Sequence, residues 1–204
     1  MKNTHRRGVR NRTSSGNRSG TLDRRVQKTR ASLHDALITL AREKPYPAIA
    51  VKEILDRANV GRSTFYTHYR DKNDLLESGI HGILRSMQDR PRAGGAVERL
   101  VAFSLPILEH IGEHRRASGS QMTRESRVVM HQHLKDVLTT FIADELALPM
   151  RHRRKATKIP ADLLARYLSS TFVLVLDWWI DSSCSLTPAD VDARFRGLVE
   201  PILS

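Results

Sequence analysis

Between Arg62 and His68 the chain sets Arg62, Ser63, Thr64, Tyr66, Thr67 and His68 around a single apolar residue, Phe65. All six polar groups can donate hydrogen bonds, and none stands in a pattern that would activate a nucleophile. An arginine can address the O6/N7 edge of guanine through two parallel N–H groups, while hydroxyls and imidazole suit phosphate oxygens. The chemistry on offer is recognition of a nucleic acid rather than reaction. Elsewhere His110 and His114 stand four apart, with His131 and His133 further on. That spacing can chelate a metal, but no acid or cysteine pattern completes a site, so no metal is expected. There is no Gly-rich phosphate loop, catalytic dyad or nucleophile motif. Neither an enzyme nor a bound cofactor is expected.

The charge agrees. The chain of 204 residues has a formal net charge of +12, a balance that suits a polyanionic partner. The charge is concentrated at the start. Lys2, Arg6, Arg7, Arg10, Arg12, Arg18, Arg24, Arg25, Lys28 and Arg30 face one acid, Asp23, within the first thirty residues, which reads as a basic arm for phosphate. The arm is not followed by an apolar stretch, so it is not a secretory signal. The most apolar run, Phe172 to Ile180, is too short for a bilayer and contains Asp177. The lone Cys184 can form no intrachain disulfide. A cytoplasmic protein with no membrane partner is expected.

The elements that must position the polar cluster are helices. Residues 1–20 are polar and basic and read as a disordered tail. From Asp23 to Lys44, Val26, Leu33, Leu37 and Leu40 form one stripe, and Pro45 and Pro47 end it. A second helix runs from about Val51 to Ala58. Asn59 stands where it must end in a left-handed turn. Gly61 can open a third helix, about Arg62 to Tyr69, while letting the chain approach DNA closely. Phe65 and Tyr69, four apart, anchor its inner side. The pattern is a helix-turn-helix. A fourth helix starts after Asp71, whose Asp-Lys-Asn-Asp run suits a cap. Further helices are expected from Val97 to Glu113, kinked or divided at Pro106, from Thr123 to Leu148, from Ala161 to Asp181, and onward from Thr187, where Thr187, Pro188 and Asp190 form a capping box. Arg151 to Lys155 form a basic loop. No strand pattern competes. The fold class is all-α, with a tail over 1–20, a DNA-binding domain over 21–70 and a regulatory and dimerisation domain over 71–204.

On Val51–Ile54, Ala58–Tyr66, His68, Tyr69, Lys72 and Asp74–Leu76 the sequence resembles the tetracycline-repressor (TetR) family. The resemblance covers about residues 26 to 76; the remainder agrees in helical layout and length. It implies a three-helix DNA-binding domain joined through the fourth helix to a ligand-binding domain, and a homodimer built on the last two long helices. Carried over by position, it implies DNA contacts from Lys52, Arg62, Ser63, Thr64, Tyr66, His68 and Lys72, and Thr67 joins these candidates as a hydroxyl on the same helix. Arg62 and Ser63 fall on base-reading positions, and Tyr66, His68 and Lys72 on phosphate. Ala50 departs from the family's usual Thr or Ser cap on the second helix, removing one cap worth about 1 kcal/mol.

The helix around Phe172 has two apolar faces, Leu164, Leu168, Phe172, Val175 and Trp179 on one and Tyr167, Leu174 and Trp178 on the other. With the stripe Val191, Phe195, Leu198 and Ile202 it offers more apolar surface than one subunit can bury, which predicts a two-fold dimer. A pocket for a hydrophobic small-molecule effector is expected among Phe103, Leu108, Met122, Met130, Leu134, Phe141, Leu168 and Phe172. The function expected is a repressor released from a palindromic double-stranded DNA operator by that effector. A constitutive repressor, or an architectural protein without sequence preference, are the alternatives.

Overall fold

Leu33, Leu37 and Leu40 recur at helical spacing, and all three are buried on one side of the first helix, α1 (Gly16–Glu43). The structure is a computed structural model that describes residues 16–88, 95–118, 122–147, 159–182 and 185–203. The basic segments at 1–15 and Arg151–Lys155, and Cys184, lie outside the described residues. After α1 come a short 3-10 turn (Tyr46–Ala48), α2 (Val51–Ala58), α3 (Arg62–His68), α4 (Lys72–Gln88), α5 (Ala96–Val101), α6 (Ser104–Ser118), α7 (Arg124–Ala147), α8 (Ala161–Asp181) and α9 (Pro188–Leu203). No strand occurs among the described residues, so the fold is all-α.

The capping expectations hold where they rested on local chemistry. Asp71 Oδ1 accepts from the backbone N–H groups of Asn73 and Asp74 at 2.8 and 2.9 Å, and Asp74 Oδ2 accepts from Arg70 N at 2.9 Å. At the start of α9 Thr187 and Asp190 bond each other reciprocally, Asp190 N donating to Thr187 Oγ1 at 3.2 Å and Thr187 N to Asp190 Oδ2 at 2.9 Å. Asn59 is left-handed, with φ 52° and ψ 48°. Two boundaries differ. The first helix begins at Gly16, so the last residues of the expected tail are helical. The segment around Pro106 divides ahead of the proline, at Ala102 and Phe103, which leaves Pro106 in the first turn of α6. There its missing N–H is not needed by the helix.

Two cores form. The N-terminal one gathers Leu33, Leu37, Leu40, Tyr46, Ile54, Phe65, Tyr69, Leu75 and Leu76. The larger one gathers Phe103, Leu108, Leu134, Leu138, Leu168, Phe172, Val191 and Phe195 with their neighbours. α4 belongs to both: Leu75 and Leu76 lie in the first, Leu84 in the second. A boundary at residue 70 therefore separates the N-terminal core from two of its own leucines. α8 is long and apolar enough to cross a membrane by length and composition, yet its eight buried positions, Leu164 to Trp179, are core of this fold.

The expected effector lining does not come together as one chamber. Phe103, Leu108, Leu134, Leu168 and Phe172 are buried in the larger core, with Phe141 packed at its edge. Met122 and Met130 pack instead against the N-terminal core. Phe103 and Phe172 meet edge to face at 5.2 Å, and Phe195 closes the trio at 5.8 and 5.4 Å. Three rings at such distances fill the space they line. A surface pocket of about 400 Å³ lies elsewhere, lined by Glu109, Glu113, Thr187, Pro188 and Ala189, and shares none of the expected residues. Phe195 was expected on a dimer stripe with Leu198 and Ile202. It is fully buried within the subunit, and only Leu198 and Ile202 are exposed. The stripe thus splits between two faces of α9.

Candidate nucleic-acid interface

α3 has seven residues, too few to be stable by itself. It is held by the pair four apart that sequence spacing singled out. Phe65 is fully buried and Tyr69 is 5% exposed, their rings 5.5 Å apart. The helix enters through Gly61 in extended conformation and leaves at Tyr69, whose N–H returns to Phe65 O. With Phe65 turned inward, Arg62, Ser63, Thr64, Tyr66 and Thr67 are left on the solvent face, and His68 is half-buried at the end. The structure therefore brings together six of the eight predicted DNA-contacting residues on one helix.

Within that face, some groups are pre-arranged. Tyr66 is 48% exposed, and the Arg62 guanidinium lies 5.5 Å from the centre of its ring. That contact limits the rotamers of a long side chain before any DNA arrives. Thr67 Oγ1 donates to Ser63 O at 2.9 Å, so its hydroxyl has only acceptor capacity left. Lys52 stands exposed on α2, 3.5 Å from Asp56 one turn on, a surface pair worth little. Arg24, Arg25, Lys28 and Arg30 are exposed along α1 ahead of Leu33.

α2, the other half of the motif, is fixed by its ends. Ala50 supplies no side-chain acceptor, but Glu53 Oε2 accepts from Ala50 N at 2.9 Å. Half of the expected cap survives. Glu53 also pairs with Lys44, and Arg57 makes two bonds to Glu43, of 2.6 and 2.8 Å. These hold the carboxyls of Glu53 and Glu43 below the usual range, the partner's hydrogen bond being the main cause in each.

Lys72, expected on phosphate, is engaged within the subunit. Its ammonium donates to the carbonyls of Tyr46, Pro47 and Ile49 at 2.8, 3.1 and 2.8 Å. Three acceptors use all three of its N–H groups. Burial moves its pKa down from the usual lysine range. Tyr46, the residue opposite, was not singled out from the sequence. Its position between Pro45 and Pro47 was the available signal, because prolines on both sides leave the backbone few other conformations.

The regulatory half meets the motif through α7 as well as α4. Ser126 Oγ donates to Lys44 O at 3.0 Å, and Thr123 N to Ala41 O at 3.4 Å. His133 Nδ1 lies 2.8 Å from Glu77 Oε1 on α4. Of the four histidines whose spacing was considered for a metal, His110 and His114 stack at 4.4 Å, while His131 faces Asp177 and His133 faces Glu77. They do not converge, and no metal-binding group of three occurs among the described residues.

Comparisons with known proteins agree with this geometry. Residues 33–78 match the bacterial regulatory proteins of the tetR family, and residues 98–201 match a transcriptional regulator C-terminal region. An uncharacterized HTH-type transcriptional regulator of Bacillus subtilis (strain 168), YxbF, is 40% identical over 185 residues, covering 85% of this chain and 45% of its own length. The chain thus spans about half the length of that relative. Among solved structures, a TetR transcriptional regulator from Streptococcus agalactiae 2603V is 25% identical with a TM-score of 0.51, covering 89% of this chain and 98% of that one. A TetR-family regulator from Syntrophomonas wolfei gives a TM-score of 0.58 at 16% identity, covering 87% and 96%. RolR, solved with resorcinol, gives 0.53 at 18% identity, covering 88% and 89%. With a helix-turn-helix whose outward face is built to donate hydrogen bonds, and with both halves matched, the chain belongs to the TetR family of bacterial transcriptional regulators.

Proposed function

We propose that this chain is a cytoplasmic, homodimeric repressor that binds a palindromic operator through α3 and is released by a small hydrophobic effector. The observation that carries the DNA reading is the sidedness of α3: Phe65 and Tyr69 hold it from within, and Arg62, Ser63, Thr64, Tyr66 and Thr67 face out. Arg62 and Ser63 read bases, Thr64, Tyr66 and His68 position the helix, and Lys52 adds charge from α2. The dimer is supported by exposed apolar residues on the last two long helices, Leu163, Leu174 and Trp178 on α8 and Leu198 and Ile202 on α9. Two α3 helices related by a two-fold axis read inverted half-sites.

The effector reading is supported by α4, which is anchored in both cores and can carry a tilt of one to the other. RolR, of similar fold, was solved with resorcinol. A constitutive repressor is the second reading, favoured by the mutual packing of Phe103, Phe172 and Phe195. Footprinting of the full chain across the DNA upstream of its own gene tests the proposal. Discrete, symmetric protected sites are expected, and R62A relaxes base preference by about 1–3 kcal/mol if the arginine pairs with guanine. Uniform protection without sites would leave a non-specific architectural protein. A panel of phenols and other apolar small molecules that never shifts affinity for a protected site would leave the constitutive repressor.

A further inference from the structure

Lys72 opens α4, and its ammonium sits 4.9 Å from the centre of the Tyr46 ring as well as on three carbonyls of residues 46–49. Tyr46 holds it in return. The tyrosine hydroxyl donates between Asn73 Oδ1 at 2.9 Å and the Lys72 carbonyl at 3.1 Å. Tyr46 is 2% exposed, so it cannot itself reach DNA. The two residues tie the connection between α1 and α2 to the first turn of α4. α2 starts directly after that connection, and α3 lies between α2 and α4 in the chain. Keeping these two ends together therefore adds to the hold that buried Phe65 and Tyr69 have on α3. α2 lacks a side-chain cap at Ala50, where Glu53 Oε2 takes the Ala50 N–H instead, so the Lys72 contacts add to that hold on the connection.

We propose that Lys72 is a positioning residue for DNA recognition: together with Tyr46 it sets how α2 and α3 are presented, and it contributes to operator affinity through the α1–α2 connection rather than through a phosphate. The proposal rests on the reading of α3 as the DNA-contacting helix. The two roles of a lysine differ in their response to salt. A phosphate contact releases counterions, and losing it lowers the log–log salt slope by about 0.9. A positioning contact leaves the slope unchanged. It also differs from a contribution to stability alone, which would reduce binding to every DNA sequence in proportion to the folded fraction.

The test uses the full chain as wild type, K72M and Y46F. Affinities are measured between 50 and 200 mM salt, on the order of typical titrations, for a duplex selected by the wild type from a random library and for a scrambled duplex. On the selected duplex K72M is expected to lose about tenfold, the effect of one charge-assisted hydrogen-bond group, and Y46F, which loses a neutral hydroxyl, about threefold. On the scrambled duplex they match the wild type, and the salt slope is unchanged throughout. A slope reduced in K72M overturns the proposal in favour of a phosphate contact. Equal losses on both duplexes overturn it in favour of stability alone, and wild-type behaviour of both variants overturns it outright. Should the wild type select no sequence, the DNA-recognition reading fails separately. The clamp is then judged by hydrogen exchange: faster exchange over residues 46–58 in K72M with unchanged protection of α8 supports it, and unchanged exchange over 46–58 overturns it.

Discussion

A β-carbon on Gly79 would stand 2.9 Å from both Cε1 and Nδ1 of His34, so the imidazole of α1 occupies the space a side chain of α4 would need. The ring is also engaged with Ser78 Oγ at 3.2 Å and meets Tyr69 edge to face at 6.2 Å. It cannot withdraw without losing both. Gly79→Ala should gain about 1 kcal/mol of helix propensity and lose about 1–3 kcal/mol to overpacking, for a net loss of up to about 2 kcal/mol. Urea unfolding measures this. In H34A/G79A the two effects should be strongly non-additive, because the alanine at 79 enters the space the ring has left. A G79A protein more stable than the wild type by the full propensity gain of about 1 kcal/mol would show that the helices separate freely there.

The same imidazole makes stability depend on pH. Burial pushes the pKa of His34 down from 6.5 to about 4; His110 and Arg30 act in the same sense and Asp35 opposes them. The folded state thus binds the proton less readily than the unfolded chain. The contribution is fully present above pH 6.5 and is lost as pH falls from 6.5 towards 4, with a ceiling of about 3 kcal/mol. H34Q should flatten this part of the stability curve. The expectation fails if wild type and H34Q lose stability in parallel over that range.

Asn59 closes α2 at φ 52°, the one positive value among the described non-glycine residues. An ordinary side chain loses about 1 kcal/mol or more in this region, and Asn tolerates it best after Gly. Asn59→Ala should lower the unfolding free energy by about 1 kcal/mol, while Asn59→Gly should leave it nearly unchanged. Equal effects from both substitutions would mean that the asparagine acts through its side chain rather than its backbone.

Trp178 and Leu174 are 47% and 65% exposed on α8, one turn apart. If a second copy covers them, L174E and W178E should convert a dimer into a folded monomer of 23.1 kDa in sedimentation at micromolar concentration. Circular dichroism should keep its helical signal. A wild type that sediments as a monomer would remove the dimer from the proposed function.

The helices, their caps and the outward polar face of α3 were legible in the sequence because each rests on neighbours within one or two turns. Leu33, Leu37 and Leu40 declare a face by spacing. Asp71 caps α4, and Asn59 ends α2 within its own turn. Phe65 and Tyr69 mark which side of α3 is held. These are short-range effects of backbone geometry and local hydrogen bonding. What a periodic pattern cannot specify is which element lies opposite. Trp178 and Trp179 are adjacent in sequence, yet Trp179 is buried with its indole N–H on Leu186 O while Trp178 faces out. Phe195 joined Phe103 and Phe172 instead of Leu198, and Met130 left the expected effector lining for the N-terminal core. The Lys72 ammonium lies on carbonyls more than twenty positions earlier in the chain. Each of these outcomes depends on helix crossings set by packing the whole chain, where burial of apolar area and satisfaction of distant polar groups are decided together.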